Sequence, residues 1–261
     1  MLDLHCHILP GVDDGAPDTE VSVDMASTAV ADGINMMVAT PHINFDFELD
    51  PHEIGRRVGE LNLALVERDI PLGVLPGAEI AISRLGALDQ EVLRMLRLGG
   101  GPYLLVESPY AGSTPYLEDL LFDLDIQGFG TILAHPERCP MFERDRERLA
   151  RLVERGVLCS VTAGSMAGQF GRRVKAFAVH MFRAGLVHDV ASDAHDDHRR
   201  RAELTWAFDE LESDLPGISE QAEWFTDVAP RAIVSGAELP EVPEPPVPRR
   251  RWERLRRSAR G

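Results

Sequence analysis

MLDLHCHILPGVDDG, residues 1–15, begins with a short apolar strand that carries two histidines. Side chains alternate along a strand, so His5 and His7 point to one face while Cys6 points to the other. Two imidazoles directed at one point suggest a metal ion, although a pair of surface histidines would produce the same motif. The Asp-Asp-Gly sequence at residues 13–15 predicts a tight turn whose carboxylates return over the end of the strand.

Length and composition indicate one large globular domain. The chain has 261 residues, 44% of them hydrophobic, and it contains no run of about 18 apolar residues that would span a membrane. No signal-peptide pattern precedes the first strand, which predicts a cytoplasmic protein. The three cysteines, Cys6, Cys139 and Cys159, are odd in number and lack zinc-ribbon spacing, which argues against a disulfide framework and a structural zinc site.

Charge is unevenly distributed along the chain. The formal net charge is −16, but residues 249–261 carry seven arginines and one glutamate and are therefore +6, which leaves −22 on the rest. An acidic body repels nucleic acid, so no nucleic-acid partner is expected. Five prolines in residues 240–248 predict an extended linker, which divides the chain into a domain at 1–236, a linker at 237–248 and a tail at 249–261.

The arginine tail is predicted to be disordered. By default it is a solvated extension, and the alternatives are peripheral contact with an anionic membrane or with the acidic body of another subunit. The oligomeric state does not follow from the sequence.

Short apolar segments alternate with amphipathic patterns through the predicted domain. Strands are predicted at residues 2–5, 36–40, 72–75, 103–107, 131–134, 157–161 and 187–191. Helices are predicted between the Asp-Asp-Gly turn and Gly33, and at 51–68, 88–97, 115–127, 143–155, 170–184, 201–212 and 219–235. This alternation predicts an α/β fold with a parallel sheet, best arranged as a closed or nearly closed barrel and alternatively as a doubly wound open sheet.

Most of the predicted strands end in residue types that bind metals. The nine candidate ligands are His5, His7, Asp14, His42, Glu79, Glu107, His135, Asp193 and His195. The carboxyl ends of barrel strands open on one face, so these side chains are expected to converge. An alternative explanation is that polar residues simply collect in solvent-exposed loops. It does not readily explain why such residues follow six of the seven predicted strands. Five imidazoles and four carboxylates exceed the needs of one ion and suit two or three ions of manganese, iron or zinc.

Seven segments of the chain resemble, in order, one family of bacterial enzymes. They are MLDLHCHILPGVDDG (1–15), ATPH (39–42), PGAEI (76–80), LLVESPY (104–110), ILAHPER (132–138), AGSMAGQFG (163–171) and GLVHDVASDAH (185–195). They resemble the polymerase-and-histidinol-phosphatase-type (PHP) protein-tyrosine phosphatases of capsule and exopolysaccharide loci. The resemblance covers residues 1 to about 235. It implies a distorted (β/α)7 barrel with three divalent metal ions, usually manganese, that hydrolyses phosphotyrosine on a bacterial tyrosine kinase.

The resemblance also implies roles for particular residues. One ion would be held by His5, His7, Glu79 and Asp193, a second by Glu79, Glu107 and His135, and a third by Asp14, His42 and His195. Asp14, His42, His195 and Arg138 would form the catalytic set, and Arg138 would grip the phosphate, because a planar guanidinium can bind two of its oxygens. Alternatively, Arg138 is a surface residue that caps its loop. Arg200 is near a second arginine of the family pattern, but its register within Arg199-Arg200-Arg201 is undecided.

The mechanistic hypothesis is in-line attack on phosphorus by a hydroxide that the metals activate. The leaving phenolate has a conjugate pKa of about 10 and needs less help from a general acid than an alkoxide does. A cysteine-nucleophile phosphatase is excluded, because no arginine stands six residues after any of the three cysteines. The alternatives are a phosphatase for a small molecule, such as histidinol phosphate or a sugar phosphate, and a phosphotyrosine-binding module without catalysis.

Four histidines lie off the ligand pattern. They are His52, His180, His188 and His198, and surface or helix positions are expected for them. His198 is also a minor candidate for protonating the product. Asp196 and Asp197, beside the predicted site, could bind metal or weaken the attraction for an anionic substrate.

Overall fold

A computed structural model describes residues 1–47, 49–108 and 114–246 of the chain. This part contains nine strands: β1 Leu2–Cys6, β2 Met36–Ala39, β3 His42–Ile43, β4 Gly73–Pro76, β5 Glu79–Ala81, β6 Tyr103–Glu107, β7 Gly130–Ala134, β8 Leu158–Thr162 and β9 Asp189–Ala191. They alternate with helices, as the sequence predicts.

The α-helices of the described residues are α1 Thr19–Ala31, α2 Ile54–Val66, α3 Ile82–Leu85, α4 Gln90–Met95, α5 Leu117–Ile126, α6 Pro140–Arg144, α7 Arg146–Glu154, α8 Ala163–Ala167, α9 Arg172–Arg183, α10 Thr205–Leu211 and α11 Ala229–Ser235. Short 3₁₀ helices occupy Pro51–Glu53, Leu98–Gly100, Pro136–Arg138 and Ile218–Gln221, and a π-helix occupies Trp224–Val228. None of the helices in the described part of the chain has the length and apolar character that crossing a bilayer requires.

The strands form two parallel sheets. One has the order β1-β2-β4 and the other the order β3-β5-β6-β7-β8-β9. Cys6, the last residue of β1, forms a parallel bridge with Ala194, which follows β9, and His7 N–H donates to Ala194 O at 2.9 Å. In return, Asp193 N–H donates to His5 O at 2.8 Å. The first strand and the segment that follows the last one are therefore hydrogen-bonded to each other.

The predicted count of seven strands is too low by two. The segment at 36–40 continues beyond Pro41 as the separate strand β3, and β4 continues beyond Gly77 as β5. Proline has no N–H to donate to a ladder, which explains the first interruption. At the second, a Cβ on Gly77 would lie 2.6 Å from the Val38 side chain, so the chain passes too closely for a larger residue. His42 and Glu79 therefore belong to short strands of the second sheet, whereas the sequence predicted them just after the ends of strands.

Two predicted helices are also wrong in detail. The helix predicted at 143–155 is divided at Asp145, whose backbone leaves the helical region at φ −124° and whose side chain accepts a hydrogen bond from Arg148 N–H. The helix predicted at 219–235 is a succession of 3₁₀, π and α segments. The predicted linker contains no helix or strand through residue 246, and the arginine tail lies outside the described residues.

Candidate active site

All nine predicted ligands come together at the carboxyl ends of the strands. Four sets of their ligand atoms each lie within 4.8 Å of one another: His7, Asp14, His42 and His195; His5, His7 and Asp193; His5, Glu79 and His135; and His42, Glu79 and Glu107. Glu107 thus falls in a set with His42, and His135 in a set with His5. The grouping is a geometric result, and the role of each side chain as a ligand stays a prediction.

Glu79 is the centre of this cluster. Its Oε2 atom lies 3.2 Å from His5 Nε2, 3.3 Å from His7 Nε2 and 3.1 Å from His42 Nδ1. Its Oε1 atom lies 2.7 Å from His135 Nε2. Burial alone would raise the pKa of Glu79, but His5 and His135 hold it well below its usual range. Glu79 is thus a buried carboxylate, and each of its two oxygens contacts imidazole rings.

The Asp-Asp-Gly turn fixes the orientation of His7. Asp13 Oδ2 lies 2.8 Å from His7 Nδ1 and accepts a hydrogen bond from His42 N–H at 3.1 Å. A Cβ on Gly15 would lie 2.1 Å from His7 O, so only glycine allows the turn to approach this closely. Asp13 holds His7 with Nε2 directed into the cluster, as carboxylates commonly do for metal-binding histidines. The sequence did not predict this role of Asp13, because nothing in the Asp-Asp pair shows which carboxylate faces the ring.

Asp14 occupies the outer edge of the same cluster. Its Oδ1 atom lies 3.4 Å from His42 Nε2 and 3.4 Å from His195 Nε2, and its side chain is 53% exposed. Hydrogen bonds with His195 and His42 hold the pKa of Asp14 below its usual range. This corner of the cluster is open to solvent.

Asp193 joins the cluster to two arginines. Its Oδ2 atom lies 2.5 Å from Arg138 Nη1 and 2.5 Å from Arg200 Nη2, whereas its Oδ1 atom lies 3.5 Å from His5 Nε2. Burial opposes ionisation, but His5 and Arg200 keep the pKa of Asp193 low. Asp193 and His135 have φ values of 50° and 35°, which are uncommon for residues other than glycine. Backbone strain of this kind tends to concentrate at functional sites.

The loop after His195 places Arg200 at the cluster. Asp196 Oδ1 accepts hydrogen bonds from the N–H groups of His198 at 2.8 Å and Arg200 at 3.1 Å. His195 N–H in turn donates to Arg200 O at 2.9 Å. The carboxylate of Asp196 thus stabilises the loop. The register of Arg200, which the sequence left undecided, is resolved in favour of a position at the site.

Phe170 packs against both arginines. Its ring centroid lies 4.3 Å from the guanidinium carbon of Arg138 and 6.0 Å from that of Arg200. Cation–π contacts at these distances hold the two guanidinium groups side by side. Phe170 belongs to the quoted segment at 163–171, but no feature of that segment predicted a contact with Arg138.

A cleft of about 470 Å³ opens onto the cluster. It is lined by Asp14, His42, Glu79, Glu107, His135, Arg138, Asp193, His195 and Arg200, and also by Asn44, Asp46 and Phe47. The sequence analysis missed the last three. The Phe47 ring lies parallel to the His42 ring, with centroids 5.8 Å apart and an interplanar angle of 5°. The only available signal was that these residues follow His42 closely.

The donor atoms fit divalent metal ions. His5 Nε2 and His7 Nε2 lie 3.2 Å apart and face the same carboxylate oxygen as His42 Nδ1 does. His42 Nδ1 is buried and forms no hydrogen bond with any of the described residues. A neutral imidazole has one nitrogen with a free lone pair, so ring nitrogens that converge on one carboxylate oxygen could bind a cation together with it. Nitrogen and carboxylate donors without thiolate suit manganese, iron or zinc; the three cysteines are buried elsewhere in the core.

Two imidazoles and a further carboxylate of this cluster also have strongly shifted pKa values. Burial lowers the pKa of His135 to about 4, so its ring is neutral, as a ligand must be. Burial opposes protonation of His7, but hydrogen bonds with Asp13 and Glu79 raise its pKa to about 10. Burial and repulsion from Glu79 raise the pKa of Glu107 to about 7. Adjacent groups shifted in opposite directions are typical of active sites.

The histidines off the pattern do not join the cluster. His52 and His198 are exposed and His180 is partly buried in α9, as expected. His188 contradicts the expectation, because it is only 5% exposed and its Nδ1 accepts a hydrogen bond from Cys159 N–H at 3.2 Å. Burial lowers the pKa of His188 to about 4. It is a neutral core residue that ties β8 to the chain before β9.

Comparisons with known proteins agree on one family. The CpsB/CapC family of capsular polysaccharide synthesis matches residues 1–223. The tyrosine-protein phosphatase YwqE of Bacillus subtilis is 40% identical over 231 residues, which cover 85% of this chain and 90% of YwqE. The putative tyrosine-protein phosphatase CapC of Staphylococcus aureus is 27% identical over 258 residues, which cover 97% of this chain and 98% of CapC.

The fold agrees with these sequence matches. A crystal structure from work on YwqE of Bacillus subtilis and CpsB of Streptococcus pneumoniae, described there as unique metal-dependent tyrosine phosphatases, has a TM-score of 0.84 and 37% identity and covers 95% of this chain and 100% of that one. A beta-aspartyl dipeptidase of Fervidobacterium islandicum is similar in fold alone, with a TM-score of 0.57 and 14% identity over 94% of this chain and 74% of that one. This chain therefore belongs to the CpsB/CapC family of capsular polysaccharide synthesis.

Proposed function

We propose that this chain is a metal-dependent protein-tyrosine phosphatase, a phosphoric monoester hydrolase that uses no cysteine nucleophile. The observation that carries this proposal is the meeting of Arg138 and Arg200 on one oxygen of Asp193, at the edge of a buried cluster of histidines and carboxylates. Paired guanidinium groups beside metal ligands suit a phosphate group. The similarity to proteins named tyrosine-protein phosphatases supports the same function.

The nine ligands would hold three divalent ions, preferably manganese, with iron or zinc as alternatives. The sets that contain His5, His7 and Asp193, and Asp14, His42 and His195, support two of the three proposed positions. The third would use Glu79, Glu107 and His135, with Glu79 shared between positions because both of its oxygens face imidazoles. When bound, the ions would lower the pKa of water and neutralise charge on the phosphate.

The side chains of the cleft perform the binding and positioning steps. Arg138 and Arg200 exchange part of their contact with Asp193 for two phosphate oxygens, while Phe170 keeps both guanidinium groups in place. Phe47, stacked on His42, offers an aromatic wall for the ring of a tyrosine. The leaving phenolate, with a conjugate pKa of about 10, requires little protonation, so exposed His198 has no necessary role.

Two broader parts of the proposal concern the fold and the biological substrate. The two sheets form one distorted (β/α)7 barrel, which the Cys6–Ala194 bridge between their outer strands supports. The substrate is a bacterial tyrosine kinase that controls capsule or exopolysaccharide synthesis, which the description of the family supports.

The proposal is tested with metal-stripped protein to which manganese is returned. Hydrolysis of a phosphotyrosine peptide is measured beside that of histidinol phosphate and a sugar phosphate, and bound metal is determined by elemental analysis. We expect manganese-dependent hydrolysis with kcat/KM for the peptide at least about 100-fold above that for the small phosphates, a discrimination of a few kcal/mol.

Preference for a small phosphate would keep the metal site but contradict the substrate. Full peptide hydrolysis by protein without bound metal would contradict the metal requirement. Tight binding of the phosphopeptide without any turnover would point to a binding module in place of an enzyme.

A further inference from the structure

A second cavity lies directly beside the candidate active site. It has a volume of about 470 Å³. Its lining residues are Arg84 of α3, Leu88, Val92, Ile43, Asn44, Phe45, Phe47, Leu49, Asp50, Pro51 and His52. Asn44 and Phe47 line both this cavity and the metal cleft. The cavity and the cleft are therefore immediate neighbours along the surface.

Arg84 brings a positive charge into this second cavity. Its guanidinium carbon lies 4.6 Å from the centroid of the Phe45 ring. Its Nε atom is buried and has no hydrogen-bond partner. Within residues 1–47, 49–108 and 114–246, no carboxylate forms an ion pair with Arg84, whereas Arg56 and Arg148 pair with glutamates. A buried N–H group without a partner is costly, and it favours a ligand that can accept from it.

Most of the other lining residues of the cavity are apolar, and Asn44, Asp50 and His52 are the polar ones. Phe45 is 71% exposed, so most of its side chain is accessible to a bound molecule. Asp50 also lines the cavity, but its Oδ1 atom accepts a hydrogen bond from His52 N–H at 3.0 Å. The cavity therefore combines an aromatic wall with an arginine that has no carboxylate partner in the described part of the chain. This arrangement fits a carboxylate carried on a short apolar stem, as in glutamate.

We infer that this cavity is a subsite for an acidic residue that flanks the phosphotyrosine in the substrate, with Arg84 as the residue that recognises the carboxylate. The inference rests on the proposed function, because it places the phosphotyrosine in the metal cleft. An extended peptide advances about 3.3 Å per residue, so an acid a few positions from the phosphotyrosine reaches a cavity that shares a wall with the cleft. Specificity then comes from the peptide as well as from the phosphate.

The test uses a series of phosphotyrosine peptides with alanine flanks, in which a single glutamate is moved through positions −4 to +4. For each protein, kcat/KM with glutamate is divided by kcat/KM with alanine, so that a general loss of activity cancels. Wild-type protein is expected to favour glutamate at one or two positions by about tenfold, the size of one charge-assisted hydrogen bond. In Arg84→Gln this ratio falls to about one. In Arg84→Glu the preference passes to a lysine at the same position.

Arg155→Gln is the matched control. Arg155 lines a different cavity with Gly130 and Val157, beside the amino ends of β7 and β8, so the change removes the same charge at the opposite end of the strands. Its glutamate ratio is expected to equal that of wild-type protein. If Arg84→Gln and Arg155→Gln lost the glutamate preference equally, the preference would come from the net charge of the protein, and the inference would be overturned.

Two further outcomes separate this inference from the proposed function. If phosphotyrosine peptides are hydrolysed but no position shows a preference that Arg84 controls, the subsite is wrong and the phosphatase proposal stands. If no phosphotyrosine peptide is hydrolysed under any metal condition, both are overturned.

Discussion

Glu79 and Asp14 are both carboxylates of the candidate metal centre, yet their surroundings are opposite. Glu79 is 1% exposed and contacts four imidazoles, whereas the Asp14 side chain is 53% exposed and contacts two. Both have lowered pKa values, but at Glu79 the imidazoles must overcome a large effect of burial. This difference teaches that burial decides how easily each candidate ligand can be replaced. Water can substitute more readily for a half-exposed carboxylate such as Asp14 than for a buried one such as Glu79.

The largest effect is expected from Glu79→Gln. The substitution keeps the shape of the side chain but removes the charge that the buried imidazoles share. We expect metal content to fall and phosphotyrosine hydrolysis to decrease at least about 1,000-fold, which corresponds to several kcal/mol of lost stabilisation. Elemental analysis and kcat/KM measure the two consequences.

Glu118→Gln is the control, since Glu118 pairs with Arg148 at 2.5 Å between α5 and α7 and belongs to no metal-ligand set among the described residues. Normal metal content and activity in Glu79→Gln would show that Glu79 is not the shared centre.

A smaller effect is expected from Asp14→Asn. An amide oxygen and water can partly replace a half-exposed carboxylate, so we expect activity to fall roughly 10- to 100-fold and to recover in part as the manganese concentration is raised. Titration of kcat against manganese measures this recovery. Asp18→Asn is the control, because it removes the same charge nearby and asparagine can still cap α1. If Asp14→Asn lost as much activity as Glu79→Gln and did not recover with added manganese, the contrast between the buried and the half-exposed carboxylate would be wrong.

The smallest effect is expected from Phe170→Leu, which removes an aromatic ring at the edge but no ligand. Loss of its cation–π contacts, worth about 0.5–1 kcal/mol each, is expected to raise KM for a phosphotyrosine peptide about two- to fivefold. Metal content should not change. Phe122→Leu, at an exposed aromatic residue of α5, is the control. A fall in metal content in Phe170→Leu would mean that the ring supports the metal centre and not the arginines.

The metal-ligand candidates were the most predictable part of the site. His5, His42, Glu79, Glu107, His135 and Asp193 come at or just after apolar segments, and parallel strands bring such positions to one edge. The supporting residues were far less predictable. Asp13, Phe47 and Phe170 act through contacts between segments distant in sequence or through a choice between neighbouring side chains, neither of which leaves a periodic signal.

The predictions of the fold were wrong where local sequence preference and tertiary contacts disagree. The pattern at 143–155 is amphipathic throughout, but Asp145 ends one helix and caps the next. His188 has the composition of a surface residue, but the backbone N–H of Cys159 supplies the hydrogen bond that makes its burial tolerable. Such a partner, 29 residues away, is visible only in the folded chain.

The sequence by itself determined the alternation of strands and helices, the residues available as ligands and the family to which the chain belongs, because periodicity and motif spacing are local properties. Only the tertiary structure decided that Glu79 contacts four imidazoles, that Asp13 contacts the His7 ring, that Arg200 reaches Asp193 and that Arg84 lies in a cavity beside the cleft. These facts depend on distances between strands and loops far apart in the chain, and packing sets those distances once the sheets have formed.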